Sequence, residues 1–307
     1  MLRTVLIGAV EGSKVALDAL IEAGLPPALV LTLPPDAADR HSDFVDLATP
    51  ARNAGSDVLF TKSINDDETL ESLAAAAPDL CLVLGWSQIC GGDFRAVAKI
   101  GNIGFHPAPL PRLRGRAVIP WTILIGAEST GSSLFWLDDG VDSGPILMQK
   151  SFPVAADETA RTLYEKHTRA LGEMIPEAVR QVEAGTAAKT PQDHSLATYC
   201  AKRTPADGLI DWHAPAEDVW RFVRAVGDPY PGAFALTSKG TKLIVDRARL
   251  LPHSERYIGL AGQIQCHTED GFGVRCGDGV CIEVLEWRWP RARRPKLHGK
   301  LRGVGDS

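Results

Sequence analysis

No apolar run in the sequence approaches the roughly 20 residues needed to cross a bilayer. The opening MLRTVLIGAV leads straight into a strand-like pattern without a signal-peptide cleavage site. Both absences lead us to expect a cytoplasmic protein with no membrane partner. Cysteine is scarce and scattered: Cys81, Cys90, Cys200, Cys266, Cys276 and Cys281 contain no C-x-x-C pair and have no histidine beside them at metal-ligand spacing. Reduced, mostly buried thiols and no metal are the expectation. An excess of positive charge is missing too. The formal net charge of −5 gives no general attraction to nucleic acid. Arg288, Arg291, Arg293, Arg294, Lys296, Lys300 and Arg302 nevertheless make one late stretch locally basic. A dinucleotide fingerprint is also absent. GAVEGS spells G-x-x-x-G, not G-x-G-x-x-G, and reads as a tight strand-to-helix turn with Ser13 as N-cap.

What remains is ample for a globular protein: 307 residues, 45% hydrophobic and 23% charged, enough for one large domain and a smaller one. Short apolar runs at residues 3–10, 28–33, 58–60 and 78–85 read as strands, and residues 13–24, 44–55 and 66–77 between them as helices. That alternation predicts an α/β fold, a Rossmann-like, mostly parallel sheet with helices on both faces. Residues 158–185 carry Leu163, Leu171, Ile175 and Val179 on one stripe of a long amphipathic helix. A polar linker follows, then a helix at residues 216–226, then short β segments separated by SKG, EDG and GDG turns. The expected organisation is therefore a large α/β domain over 1–185, a linker over 186–208, and a small β-barrel, OB-like in flavour, over 209–307.

Two stretches carry the chemistry. Residues 101–121, GNIGFHPAPLPRLRGRAVIPW, hold four prolines, three arginines and one histidine. Proline lacks the donor that helices and central strands require, so an ordered loop is expected here. It follows a buried strand, and ligands in open parallel sheets bind beyond the carboxyl ends of strands. Residues 134–144, LFWLDDGVDSG, carry three aspartates and two glycines after a short apolar strand. Taken alone, His106 with Asp142 is open to three readings: a proton-handling pair, a metal pair or a structural hydrogen bond.

The motif H-P-x-x-L-P-x-x-R-G at residues 106–115, followed by D-x-G-x-D-x-G at residues 138–144, resembles the 10-formyltetrahydrofolate-dependent formyltransferases. These include methionyl-tRNA formyltransferase, glycinamide ribonucleotide formyltransferase, the sugar N-formyltransferases and the hydrolase domain of formyltetrahydrofolate dehydrogenase. The likeness continues through KRTPADGLIDW and VRAVGDPYPGAF and covers nearly the whole chain. It implies an enzyme in which an amine attacks a formyl carbon while His106 donates to the oxyanion and Asp142 keeps the imidazole charged or takes the amine proton. Members of the family usually carry asparagine two residues before the histidine, the hydrolase domain of the dehydrogenase being an exception; here that position is Gly104, and Asn102 is the nearest substitute. Loss of one oxyanion donor costs roughly 3–4 kcal/mol in other acyl-transfer enzymes.

The same resemblance implies 10-formyltetrahydrofolate as co-substrate. Backbone groups near Gln88 and Cys90 and of the turn through Leu137, Asp138 and Gly140 would read the pterin, with Trp86 and Ile89 as apolar walls. Among the loop arginines, Arg114 beside Gly115 is the candidate for an anionic part of the acceptor. Three acceptors compete: a small amine such as a nucleotide-linked amino sugar, initiator methionyl-tRNA, and water. RTPADGLIDW and VRAVGDPYPGAF look most like sugar-modifying members, and the acidic balance argues against tRNA. A non-catalytic folate-binding protein is the remaining reading, opposed by the presence of both His106 and Asp142. The β module is a candidate for acceptor binding, homodimerisation or capping.

Overall fold

A computed structural model describes residues 2–40, 43–290 and 293–306. Arg291 of the basic stretch lies outside them. The chain forms two compact units: residues 1–118, 129–153 and 164–201 make the first, and 119–128, 154–163 and 202–307 the second.

The first unit is built on strands β1 (Thr4–Ile7), β2 (Leu29–Thr32), β3 (Asp57–Phe60), β4 (Leu80–Val83) and β5 (Gly101–His106), interleaved with helices α1 (Glu11–Glu22), α2 (Ala48–Asn53), α3 (Asp67–Ala75) and α4 (Gly92–Val97). Then come, in chain order, β6 (Arg114–Gly115), α5 (Val118–Leu124, which falls in the second unit from Ile119), β7 (Ser129–Trp136), β8 (Ile146–Pro153), α6 (Ala160–Glu183, which falls in the first unit from Tyr164) and β9 (Tyr199–Cys200). The sheet order is β3-β2-β1-β4-β5-β7-β8. Its first five strands run parallel, and β7 and β8 are antiparallel additions at one edge.

Successive side chains of a strand point to opposite faces, and both faces of this sheet are covered. Leu6, Val30, Leu82 and Ile103 pack with Leu17 and Leu20 of α1 and with Leu171, Ile175 and Val179 of α6. Val5, Ile7, Leu31 and Val83 pack on the other side with Leu73 of α3 and Phe94 of α4. Full burial of such a side chain is worth about 1.5–3 kcal/mol, so these two layers hold the helices in place. They also explain why β1, β2 and β4 read as near-continuous apolar runs.

The structure corrects four expectations. Residues 101–106 form a central strand, not a loop, because the prolines begin only at Pro107. Pro120 sits in the first turn of α5, where an amide hydrogen has no helical partner anyway. Ser13 lies inside α1 rather than at its cap: its hydroxyl accepts from Val10 N at 3.2 Å and donates to the Leu84 carbonyl at 2.5 Å. The helix expected at 44–55 is trimmed to α2. Residues 186–201 of the expected linker group with the first unit.

The second unit contains α7 (Ala216–Val226), β10 (Ala233–Thr237), β11 (Lys242–Leu250), β12 (Ile264–His267), β13 (Phe272–Arg275), β14 (Cys281–Arg288) and β15 (Leu301–Arg302). Its sheet is antiparallel in the order β12-β13-β14-β11-β10-β15. The two ends are joined by backbone bonds from Leu301 N to Gly262 O at 2.8 Å and from Ile264 N to Gly299 O at 3.0 Å, so the sheet curls into a small barrel. Val245, Phe272, Val274, Ile282 and Val284 fill it. Much of the basic stretch is bound within this unit. Arg288 makes two 2.8 Å bonds to Asp246, Arg294 donates to the carbonyls of Thr268 and Glu269, and Lys300 meets Asp306 at 2.7 Å. Among the described residues no helix is long and apolar enough to cross a membrane.

Candidate active site

His106 ends β5, between β4 and β7, and is 4% exposed. Its Nε2 lies 2.7 Å from the Leu113 carbonyl, to which an Nε2 hydrogen donates. Its Nδ1 faces Asp142 Oδ2 at 3.5 Å. With one hydrogen held on Nε2, Nδ1 is the ring atom turned toward the carboxylate, which can accept a hydrogen bond from it. The Asp142 side chain is 21% exposed against 6% for His106, so the carboxylate is the member of the pair that faces outward.

Each partner is held from several sides. Ser133, paired with His106 across β7, donates to the Ala108 carbonyl at 2.7 Å and accepts from Leu110 N at 3.2 Å. Gln149 of β8 donates to the Leu110 carbonyl and to the Ser133 hydroxyl. Thr198 clamps the far end of the loop: its hydroxyl accepts from Leu113 N and its carbonyl from Arg114 N, both at 2.8 Å. The turn through Asp142 is closed by Asp138 Oδ1, which accepts from Gly140 N at 3.1 Å and from the Ser143 hydroxyl at 2.8 Å. Only glycine fits at 144, where a Cβ would stand 1.8 Å from the Trp136 carbonyl oxygen. Asp142 itself has φ +50°, a left-handed conformation that non-glycine residues seldom adopt. Its Oδ2 accepts from Gly115 N at 2.8 Å, which ties the two sequence motifs together.

Two expected site residues are not brought to this pair. Asn102 shares a strand face with His106 but lies four residues away, roughly 13 Å along the strand. Its amide donates to the Arg95 carbonyl at 2.8 Å and the residue is 3% exposed. Arg114 is 2% exposed, so its guanidinium meets protein and not an anionic acceptor. Its partners are Gln192 Oε1 at 2.6 and 3.2 Å, His194 Nδ1 at 3.1 Å and the Tyr199 hydroxyl at 3.3 Å. The Gly104 position is walled by Leu137 and Phe135.

The residues expected around the donor lie on the neighbouring loops. Trp86 and Leu137 pack on the same apolar cluster, and Ile89 is 73% exposed. Gln88 braces the loop internally, accepting from Ile64 N and donating to the Lys62 carbonyl, and the Cys90 carbonyl accepts from Arg95. Burial pushes the Cys90 thiol up to about 11 despite the nearby Arg95 charge. Sequence reasoning missed Gln192 and Thr198 altogether. They sit in a polar stretch with no periodicity and act on loops distant in the chain.

A histidine–carboxylate pair at the carboxyl end of a strand in a doubly covered parallel sheet stands where α/β enzymes place their ligands. The chain belongs to the formyl transferase family: residues 5–179 match the formyl transferase domain and residues 202–303 the formyl transferase C-terminal domain. It is 32% identical over 306 residues to the methionyl-tRNA formyltransferase of Symbiobacterium thermophilum, covering 98% of this chain and 90% of that protein. Its identity to the methionyl-tRNA formyltransferase of Anaeromyxobacter sp. (strain K) is 33% over 285 residues, 92% of this chain and 91% of that protein. Two solved structures are similar in fold. HypX from Aquifex aeolicus, in complex with tetrahydrofolic acid, superposes with a TM-score of 0.68 at 17% identity over 94% of this chain and 44% of its own. The N-formyltransferase from Helicobacter canadensis, in complex with folinic acid and dTDP-3-aminofucose, gives 0.64 at 17% identity over 93% and 99%. The protein is thus a formyltransferase.

Proposed function

We propose that the protein transfers a formyl group from 10-formyltetrahydrofolate to the primary amine of a small acceptor, a nucleotide-linked amino sugar or a related amine, in the cytoplasm. The observation that carries the chemistry is the His106–Asp142 pair, with Nδ1 and Oδ2 3.5 Å apart at the end of β5. The donor supplies the formyl carbon and a nitrogen leaving group. Asp142, the outward member, accepts the proton of the attacking amine. His106, carrying a hydrogen on Nδ1, donates toward the formyl oxygen as charge builds there. A carbon–nitrogen bond forms to the acceptor, the one to the folate nitrogen breaks, and one proton passes from the acceptor amine to that nitrogen. Trp86 and Ile89 form the donor's apolar wall, and backbone groups near Gln88 and Cys90 and of the turn through Leu137, Asp138 and Gly140 read the pterin. The sharing of one cluster by Trp86 and Leu137 supports a single platform. Residues 1–185 are read as the domain of the chemistry, completed by the segment to Ala201.

For the acceptor, the pairing of Arg288 with Asp246 and of Lys300 with Asp306 speaks for a small molecule, because cations already matched to carboxylates contribute less to binding a polyanion. The curated relatives are methionyl-tRNA formyltransferases by name, which favours initiator methionyl-tRNA as the second reading. The test is tetrahydrofolate release with each acceptor in turn. Turnover with nucleotide-linked amino sugars and none with methionyl-tRNA is expected. Efficient formylation of methionyl-tRNA, with strongly salt-dependent binding, would replace the first reading by the second.

A further inference from the structure

The carboxamide of Gln192, 6% exposed, uses every hydrogen-bonding position it has. Both Nε2 hydrogens go to carbonyls of the catalytic turn, that of Asp142 at 2.9 Å and that of Gly144 at 2.7 Å. Both lone pairs of Oε1 accept from Arg114, at 2.6 Å from Nη2 and 3.2 Å from Nε. Rotating the amide by half a turn would set oxygen against two carbonyls and nitrogen against a guanidinium, so its chemistry admits one orientation. The buried positive charge on Arg114 polarises the amide and strengthens its two donors.

We propose, on the reading that the His106–Asp142 pair performs formyl transfer, that Gln192 is a positioning residue for the reaction. It holds the peptide of Asp142 in the left-handed conformation from which the carboxylate faces His106. Aspartate tolerates the left-handed region better than most side chains but still at a cost relative to negative φ, so bonds that hold the peptide there add to its persistence. Here the surroundings are two carbonyl bonds from one carboxamide and the Gly115 amide on the carboxylate. Without the carboxamide, the turn relaxes toward negative φ, and Oδ2 leaves both Gly115 N and His106 Nδ1. Arg114 acts one step further out: it fixes the direction of the carboxamide, which is why a conspicuous arginine in the motif faces inward. Gln192 touches no reacting atom in this scheme. Its effect passes through Asp142.

Gln192→Glu keeps the size of the side chain and its pairing with Arg114 but has no hydrogen for the two carbonyls. Gln192→Met keeps the size without the charge. The first measurement is the 15N resonance of His106 Nδ1 in histidine-labelled full-length protein, with folding checked by circular dichroism. Both variants are expected to move that resonance to where Asp142→Asn puts it. The second is steady-state kinetics, where kcat is expected to fall about 10²-fold, the size of effect a displaced catalytic group produces, while KM for the donor stays within about threefold. In the Asp142→Asn background the same substitutions are expected to cause no further loss. An unmoved Nδ1 resonance, or a loss that simply adds to that of Asp142→Asn, overturns the assignment. A moved resonance in a protein that transfers formyl to no acceptor supports the positioning role and removes the functional reading instead.

Discussion

Leu137 Cδ2 stands 2.7 Å from the point where a Cβ on Gly104 would lie, and the ring of Phe135 closes the same space at 3.0 Å. The formyltransferases that this sequence resembles usually carry a side-chain amide at that position. Here the place of the amide is taken by hydrophobic packing, and Asn102, the nearest alternative, is bonded to the Arg95 carbonyl. The glycine and the leucine therefore belong to one arrangement, and a change in either is felt by the other.

Restoring the amide alone is expected to fail. Gly104→Asn overpacks the site and lowers stability by about 1–3 kcal/mol, visible as a drop in Tm. Gly104→Asn combined with Leu137→Ala relieves the clash, recovers Tm and raises kcat if the amide then reaches the formyl oxygen. A double variant as stable as the parent but no faster would show that the chemistry here does not lack that donor.

His106→Ala and Asp142→Ala are each expected to lower kcat about 10²–10⁴-fold, the usual worth of a positioned proton-transfer group, with native circular dichroism. Near-normal turnover in either variant would move the chemistry elsewhere.

Ile89, on the loop after β4, is 73% exposed, and Val141, next to Asp142 in the chain, is 51% exposed. If the formyl donor covers them, truncation to alanine removes about 1–2 kcal/mol of burial from each. The Michaelis constant for the donor then rises roughly 5- to 30-fold by that free energy while kcat is kept. Donor saturation unchanged in both variants would place the donor elsewhere.

Burial pushes the Cys81 and Cys276 thiols up to about 12, the nearby Cys90 and Asp278 adding to the respective shifts, and Cys90 up to about 11. The thiolate is the reactive form, so iodoacetamide at pH 8 should label these three only after denaturation, as mass spectrometry would read. The sign for stability follows. An unfolded thiol ionises near 9.0 while the folded one keeps its proton, so stability is intact below pH 9 and declines as pH climbs toward the folded values. Alkaline unfolding that begins well below pH 9 would point to other groups.

Much of the fold is legible because the physics that writes it is local. β1, β2 and β4 are buried on both faces and so are apolar but for Thr4 and Thr32 at the strand ends, and α7 follows its helical periodicity from Ala216 to Val226. β8 escapes because, at one edge of the sheet, it carries the exposed Gln149, Lys150 and Ser151 where an apolar run would be sought. β5 escapes for the opposite reason, its glycines and the following prolines masking a buried strand. At the site, the motif histidine and aspartate stand out in sequence and the structure brings them together. The inward turn of Arg114 and the reach of Gln192 depend on partners 78 residues apart, which no local pattern encodes.

That separation sets an order on events in the cell. Thr198, which clamps the loop at Leu113, lies 85 residues beyond it. The ribosome therefore releases the loop long before the residues that brace it. Domains generally fold as units, so the loop around Leu113 lacks its anchor until the last segment of the first unit, which ends at Ala201, has emerged. A chain interrupted before Thr198 carries every residue of both sequence motifs without the means to hold them in register.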